Sequence, residues 1–240
     1  MGRARRAMAG ITGAVVLAGC ASSSPLLPSR PVDGTPFAPL FAVATASVAK
    51  VSGVACSGGN LVGSAFVAGD NLVLTAAHVV AGARSIDLSF PGAPLIAARV
   101  IAIDADDDTA LLRVDGRLPP TLGMATSPLG AGDPVGVAGF PLAEQAVHTG
   151  VARVSALDER AMLEGRQLRD LLVVDAQVPP GSSGGPVIDT AGDVQGMVSA
   201  QLPGRGGRDS SELVTLAIPA SRLADRVAGW AALPVQRACP

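Results

Sequence analysis

From residue 41 onward the apolar positions of the chain fall in short runs, separated by glycine, proline, asparagine or aspartate. The segment FVAGDNLVL at 66–74 has two such runs on either side of a Gly-Asp-Asn turn, and VIDTAGDV at 187–194 repeats the arrangement. Short apolar runs joined by these turn residues are typical of β-hairpins. The pattern therefore predicts an all-β fold, either a barrel or a sandwich.

One segment near the C-terminus predicts a helix instead. It opens after Pro219, with Ser221 as a candidate N-cap. Leu223, Val227 and Trp230 follow at spacings of four and three residues, which places them on one helical face. We expect this face to pack on the core.

The first 19 residues predict a signal peptide. A basic start, MGRARR, precedes an apolar run at 11–19 that is too short to span a bilayer stably. The sequence LAGC at 17–20 resembles the bacterial lipobox, which implies cleavage before Cys20 and lipidation of that cysteine. The alternative is an ordinary signal peptide in which Cys20 is incidental.

Residues 20–40 predict an extended tether, because small residues and prolines dominate and cannot form a core. Residues 41–240 then form one domain, long enough for a substantial core. The formal net charge is −2, and loss of residues 1–19 removes three arginines, so the mature chain is more acidic. This charge balance provides no basic surface for nucleic acid, and we predict no nucleic-acid partner.

The segment GSSGGP at 181–186 indicates a catalytic serine. Ser183 lies among glycines just before an apolar hairpin strand, as a serine-protease nucleophile does. The backbone N–H groups of Gly181 and Ser183 would bind the developing oxyanion. An ordinary glycine-rich turn is the alternative for this segment by itself.

A serine nucleophile needs a base, and the chain contains two histidines. His78 follows the apolar run LVLTAA at 72–77, which puts it at a strand end, where a core histidine is the alternative. His148 lies in VHTGV at 147–151, and we expect a surface position for it, with a substrate pocket as the alternative.

A carboxylate must orient that base, and Asp108 directly precedes the largely apolar run at 110–114. Asp108 is therefore the candidate for this role. Asp104, Asp106 and Asp107 are expected to form an exposed acidic turn, with a weak cation site as the alternative. We predict no metal and no cofactor.

Taken together, these motifs resemble the trypsin-like (chymotrypsin-fold) serine peptidases, in which the triad residues also follow the order His, Asp, Ser. The matching segments are GSAFV at 63–67, LTAAH at 74–78, DTALL at 108–112, GSSGGP at 181–186 and QGMVS at 195–199. The resemblance implies two six-stranded antiparallel β-barrels, at 41–117 and 129–233, with the active site in the cleft between them.

Within that family the chain resembles the bacterial HtrA (Deg) protease domain, through 63–80, 108–112 and LAIP at 216–219. We expect no PDZ module after the domain. Cys56 and Cys239 resemble the cysteine pair of the actinobacterial protease MarP, and with Cys20 lipidated they remain as a pair in an oxidising compartment. We predict a disulfide between them, and two free thiols are the alternative.

The resemblance also assigns substrate contacts. It places Gln177 at the base of the specificity pocket, where a neutral side chain argues against a requirement for Lys or Arg. It places the Ser199 hydroxyl near the triad aspartate, and Ser199, Ala200 and Gln201 on the strand edge that pairs with substrate. Ser182 departs from the digestive enzymes, which have an aspartate there for activation by a freed N-terminus.

These features predict a monomeric, extracytoplasmic serine endopeptidase, anchored by lipid to the bacterial membrane and acting on protein or peptide substrates of the cell envelope. A catalytically latent peptide-binding protein with the same fold is one alternative. An esterase that uses the same triad is another, because ester and peptide hydrolysis need the same groups.

Overall fold

The computed structural model describes residues 32–142, 144–163, 165–203 and 213–239. Its first barrel consists of β1 (Val48–Ala55), β2 (Asn60–Gly69), β3 (Leu72–Ala76), β4 (Ala83–Ser89), β5 (Ile96–Asp104) and β6 (Thr109–Val114). The strands close in the order β1-β2-β3-β6-β5-β4, and every pair is antiparallel. The hairpin predicted at 66–74 is the β2–β3 connection.

The second barrel consists of β7 (Pro134–Gly139), β8 (His148–Leu163), β9 (Arg166–Val174), β10 (Pro186–Ile188), β11 (Val194–Pro203) and β12 (Leu213–Pro219). It closes in the order β10-β11-β12-β9-β8-β7, again antiparallel throughout. The predicted fold of two six-stranded antiparallel barrels is therefore confirmed, and the strands run from 48 to 114 and from 134 to 219.

The apolar core continues from one barrel into the other. Phe66 and Leu111 of the first barrel belong to the same buried cluster as Leu168 and Ile218 of the second. Burial of a large apolar side chain stabilises the fold by about 1.5–3 kcal/mol. The shared cluster therefore resists separation of the barrels. A site built from residues of both barrels requires that they stay together.

A helix α1 (Phe37–Ala44) precedes the first barrel and packs on β7 of the second. Phe37 is fully buried, and a Cβ at Gly136 would lie 2.9 Å from its ring. Glycine at 136 thus makes room for the helix. The predicted tether extended to residue 40, whereas the helix begins at Phe37, because this aromatic side chain is buried against β7.

Two further helices carry site residues or contact them. A single turn α2 (Ala77–Val80) follows β3 and contains His78. The predicted C-terminal helix is confirmed as α3 (Ala220–Trp230), with Leu223 fully buried. The expected N-cap at Ser221 is wrong: Pro219 occupies the N-cap position and Ser221 lies inside the first turn, since the chain leaves β12 directly into the helix.

The chain after α3 returns to the first barrel. Arg113 of β6 donates hydrogen bonds to the carbonyl oxygens of Ala231 and Leu233, and Gln236 N–H donates to Val100 O. Cys239 then forms a disulfide with Cys56, with the two Cα atoms 5.9 Å apart. The predicted disulfide is confirmed, and it fastens the last described residue to the first barrel.

Candidate active site

The loop at 181–185 lies between the two barrels and packs closely against both. A Cβ at Gly184 would lie 2.0 Å from Ser64 O on β2, and one at Gly185 would lie 2.1 Å from Ala138 O on β7. Gly181 and Gly184 also have φ values of +100° and +89°, which residues with a Cβ rarely adopt. The glycines therefore let Ser183 sit in the cleft, close to both barrels.

His78 and Asp108 meet because their strands pair. β3 and β6 are antiparallel neighbours, with Ala76 opposite Thr109, so the residues just beyond those positions are adjacent. His78 Nδ1 lies 2.9 Å from Asp108 Oδ1 and 3.0 Å from Oδ2, and the His78 backbone N–H donates to Oδ1 at 3.1 Å. The Asp108 side chain is 1% exposed.

The Asp108 carboxylate has a further donor from the second barrel. The Ser199 hydroxyl donates a short hydrogen bond to Asp108 Oδ2, in the position that the resemblance implied. Because a carboxylate accepts and does not donate, Nδ1 of His78 carries the proton in this contact. The neutral His78 ring then presents Nε2 as the basic nitrogen.

The Ser183 side chain lies against β11. Its hydroxyl donates to the carbonyl oxygen of Ser199 at 3.2 Å. Ser199 is the bulged residue where the pairing of β11 with β12 shifts register between Val198 and Ala200. The bulge therefore lets one residue contact Asp108 through its side chain and Ser183 through its backbone.

A backbone hydrogen bond orients the peptide group before Gly181. Leu142 N–H donates to Pro180 O at 2.9 Å. Because all peptide bonds of the described residues are trans, the N–H of Gly181 points away from that carbonyl group. Within the described residues, the N–H groups of Gly181 and Ser183 donate to no protein acceptor. Both donors are thus free for a ligand.

Ser64 is a site residue that we did not predict. It is fully buried on β2, and its hydroxyl donates to Gly181 O and accepts from Phe140 N–H, each at 2.8 Å. Ser64 belongs to the matching segment GSAFV, but the sequence predicts no role for its hydroxyl, because both hydrogen-bond partners lie more than 70 residues away in the chain. A buried polar residue within an apolar strand was the available signal.

β11 offers an open edge at the predicted substrate strand. β10 pairs with β11 only up to Met197, whereas β12 pairs on the opposite side as far as Pro203. Ala200 and Gln201 are partly exposed. Along 199–201 the side of β11 that faces away from β12 therefore has no strand partner among the described segments.

Gln177 and His148 line a cavity that does not include the open edge of β11. It has a volume of about 320 Å³ and lies between β7, the start of β8 and the segment before Gly181, and the buried Ser182 also contributes to its lining. Ser199, Ala200 and Gln201 are not among its lining residues. His148 is half exposed, with Nε2 2.6 Å from a carboxylate oxygen of Glu144.

The acidic turn, residues 104–107, differs from the expectation of a solvated loop. Asp104 and Asp107 form ion pairs with arginines of α3, and only Asp106 has an exposed side chain without an ion-pair partner in the described ranges. The described chain contains no group of three or more potential metal ligands.

The proposed lipid site, Cys20, lies outside the described residues, as do residues 1–31 in general. Among the helices that are described, none has the length and hydropathy needed to cross a bilayer.

Comparison with known proteins matches residues 63–197 to the trypsin-like peptidase domain. Serine protease Rv3671c of Mycobacterium tuberculosis is 33% identical over 188 residues, which cover 74% of this chain and 46% of the relative. A probable periplasmic serine endoprotease, DegP-like, of Pseudomonas fluorescens is 33% identical over 148 residues, 60% of this chain and 30% of the relative. The chain thus spans less than half the length of these relatives.

The fold comparison agrees with the sequence comparison. The crystal structure of the Rv3671c protease from M. tuberculosis in its active form superposes with a TM-score of 0.77 at 27% identity, over 91% of this chain and 96% of that chain. The resemblance to the HtrA and MarP proteases is confirmed, and the chain belongs to the trypsin-like peptidase family.

Proposed function

We propose that the protein is an extracytoplasmic serine endopeptidase in which His78, Asp108 and Ser183 form the catalytic triad. The observation that carries this proposal is the pairing of His78 Nδ1 with the buried Asp108 carboxylate in the cleft that Ser183 enters from the other barrel. That pairing leaves His78 Nε2 as the base that a serine nucleophile requires.

In the first half of the reaction His78 Nε2 takes the proton of the Ser183 hydroxyl as Oγ attacks the scissile carbonyl carbon. The tetrahedral intermediate carries a negative oxygen, and its collapse breaks the C–N bond while His78 returns the proton to the leaving amine. Water then attacks the acyl-enzyme with the same base, which releases the acid and restores Ser183.

The free N–H groups of Gly181 and Ser183 are the proposed oxyanion hole. Each donor of this kind contributes about 10²–10³-fold to kcat, because it is oriented before charge develops. The bond from Leu142 N–H to Pro180 O supports the arrangement, since it turns the N–H of Gly181 away from Leu142, and Ser64 holds the next carbonyl group, that of Gly181. Ser182 offers no carboxylate for N-terminal activation, so we infer that the enzyme is either constitutively competent or regulated through the oxyanion loop.

Substrate backbone is proposed to pair with the open edge of β11 at Ser199, Ala200 and Gln201. An extended peptide can add a strand there and so bring its scissile bond to Ser183. Gln177 remains the proposed base of the specificity pocket, and its neutral amide favours small or apolar side chains over Lys or Arg.

The proposed location is the outer side of a bacterial membrane. The DegP-like relative is named as periplasmic, and a Cys56–Cys239 disulfide persists in an oxidising compartment. Lipidation at Cys20 would anchor the domain, and cell-envelope proteins would be the substrates of a monomeric enzyme. The proposed mechanism uses only side chains and backbone of this chain, without a cofactor.

Labelling with a fluorophosphonate probe tests the triad. We expect labelling of the purified protein and none of Ser183→Ala, His78→Ala or Asp108→Asn at matched concentration and time. Casein and p-nitrophenyl ester hydrolysis, measured in parallel, separate a peptidase from an esterase. Absence of labelling in a folded, oxidised protein would contradict the proposal and favour a latent peptide-binding protein.

A further inference from the structure

The backbone at Asp108 is strained and needs support. Asp108 has φ +47°, in the left-handed region that residues with a Cβ rarely adopt. The acidic turn before it is organised by Asp104, whose Oδ1 accepts from the backbone N–H groups of Asp106 and Asp107 at 3.0 Å each. A strained conformation persists only where surrounding contacts hold it.

Two arginines of α3 supply such contacts. Arg226 Nη2 lies 2.7 Å from Asp104 Oδ2 and 2.5 Å from Asp107 Oδ2, and Arg222 Nη1 lies 3.2 Å from Asp107 Oδ1. Each oxygen of Asp107 thus has its own guanidinium partner.

These ion pairs are partly shielded from solvent. Asp107 is 24% exposed, Arg222 18% and Arg226 33%, so the charges are screened less than at an open surface. The hydrogen bond that Arg226 donates to the Asp107 carboxylate raises the pKa of Arg226 above its already high ordinary value. Arg226 therefore stays charged at every pH where the enzyme could work.

The helix that carries these arginines belongs to the second barrel. α3 follows β12 directly, and Arg222 also donates to Arg169 O and to Asp170 Oδ2 on β9, each at 3.1 Å. At the start of β9, Arg166 Nη1 donates to Ala105 O in the acidic turn at 2.8 Å. The turn before Asp108 is thus held from the barrel that carries Ser183.

We propose that Arg222 and Arg226 are positioning residues for the triad: through Asp104 and Asp107 they hold the Asp108 carboxylate in place relative to His78 and Ser183. This inference rests on the proposed function. Neither arginine touches the reacting atoms, so the expected effect is on kcat, with little effect on substrate binding.

Asp107→Asn tests the proposal against a matched control, Asp106→Asn. Both changes remove one negative charge from the same turn, but Asp106 has no ion-pair partner in the described part of the chain. We expect kcat of Asp107→Asn to fall about tenfold or more with KM within about twofold, since a small misplacement of a catalytic group is costly. Asp106→Asn should stay within about twofold of wild type.

The pH profile of Arg226→Gln distinguishes a positioning role of Arg226 from a direct electrostatic effect of its charge on His78. Loss of a nearby positive charge favours protonated His78, which would move the acid limb of the kcat/KM profile to higher pH. Displacement of the Asp108 carboxylate from His78 disfavours protonated His78, which moves the acid limb of the profile to lower pH. The proposal expects the shift to lower pH, and a shift to higher pH would overturn it.

Arg226→Lys keeps the positive charge but lacks the planar guanidinium group, so it should recover part of the kcat lost in Arg226→Gln. Should Arg226→Gln fail to fold, as judged by circular dichroism, the comparison rests on Arg226→Lys and Asp107→Asn. Wild-type kinetics in both of these folded variants would overturn the positioning role while leaving the proposed function intact, provided that Ser183→Ala is inactive.

Inactive wild-type protein would refute the proposed function instead, and the positioning role is then tested without activity. The chain has two histidines, so the downfield proton resonance of His78 Nδ1–H is assigned by comparison with His148→Gln. Loss or weakening of that resonance in Asp107→Asn, but not in Asp106→Asn, supports the proposal. An unchanged resonance in both variants overturns it.

Discussion

Ser64 on β2 of the first barrel donates a hydrogen bond to the carbonyl oxygen of Gly181 in the second barrel, at 2.8 Å. The same hydroxyl accepts from Phe140 N–H, so one buried side chain binds both the loop before Ser183 and the end of β7. The proposed oxyanion hole therefore depends on contacts between the barrels as well as on its own loop.

Ser64→Ala should lower both stability and turnover. It leaves the buried N–H of Phe140 without its acceptor, which costs about 1–3 kcal/mol of unfolding free energy. It also frees Gly181 O, and we expect kcat to fall about tenfold or more. Urea unfolding and steady-state kinetics measure the two effects. Ser52→Ala, which removes a weak 3.5 Å bond to Asp87 O on the same barrel, is the control.

Ser199→Ala should reduce kcat/KM by about tenfold and lower the free energy of unfolding by about 1.5–3 kcal/mol, because the buried Asp108 carboxylate keeps its contacts with His78 but loses the hydroxyl that donates to Oδ2. Progress curves at substrate concentrations below KM give the ratio directly. Ser155→Ala, which removes a bond to Val173 O elsewhere in the second barrel, should behave as wild type. A wild-type kcat/KM for both variants would show that the Ser199 hydroxyl does not orient the Asp108 carboxylate.

The double variant Cys56→Ser/Cys239→Ser should lose about 2–5 kcal/mol of unfolding free energy, because the disulfide constrains the unfolded chain across 183 residues. Equilibrium urea titration measures the loss. Wild-type protein unfolded in the presence of a reductant should match the double variant. An unchanged urea midpoint in both samples would contradict the expectation.

Phe37→Ala should destabilise the domain by about 3–5 kcal/mol, since the ring is fully buried against β7 and its removal leaves a cavity. Val43 lies on the same helix and is 62% exposed, so Val43→Ala should change stability by no more than about 0.5 kcal/mol. Thermal unfolding compares the pair. Similar melting temperatures for the two variants would mean that α1 contributes little to the fold.

Cys20→Ala should release the protein from the membrane if Cys20 carries the lipid. Fractionation of detergent-free extracts, followed by immunoblotting, measures the distribution. The wild-type protein is expected in the membrane pellet and the variant in the soluble fraction. A variant that still sediments with membranes would count against the lipid anchor.

Local sequence patterns predicted those features that depend on neighbouring residues. Short apolar runs with turn residues predicted the hairpins, the spacing of Leu223, Val227 and Trp230 predicted α3, and glycines around Ser183 marked its loop. The disulfide followed from cysteine number and compartment. Each of these signals is carried within a few residues or by composition, so it can be read without coordinates.

Long-range contacts decided the remainder. Phe37 begins a buried helix because Gly136, about 100 residues later, leaves room for it, and Ser64 matters through partners at 140 and 181. The acidic turn forms ion pairs because α3 places two arginines over it, and these arginines lie more than 110 residues later in the chain. The sequence by itself determined the hairpins and the proposed reactive groups, whereas only the packing of two closed barrels decided which distant side chains contact the segments that carry those groups.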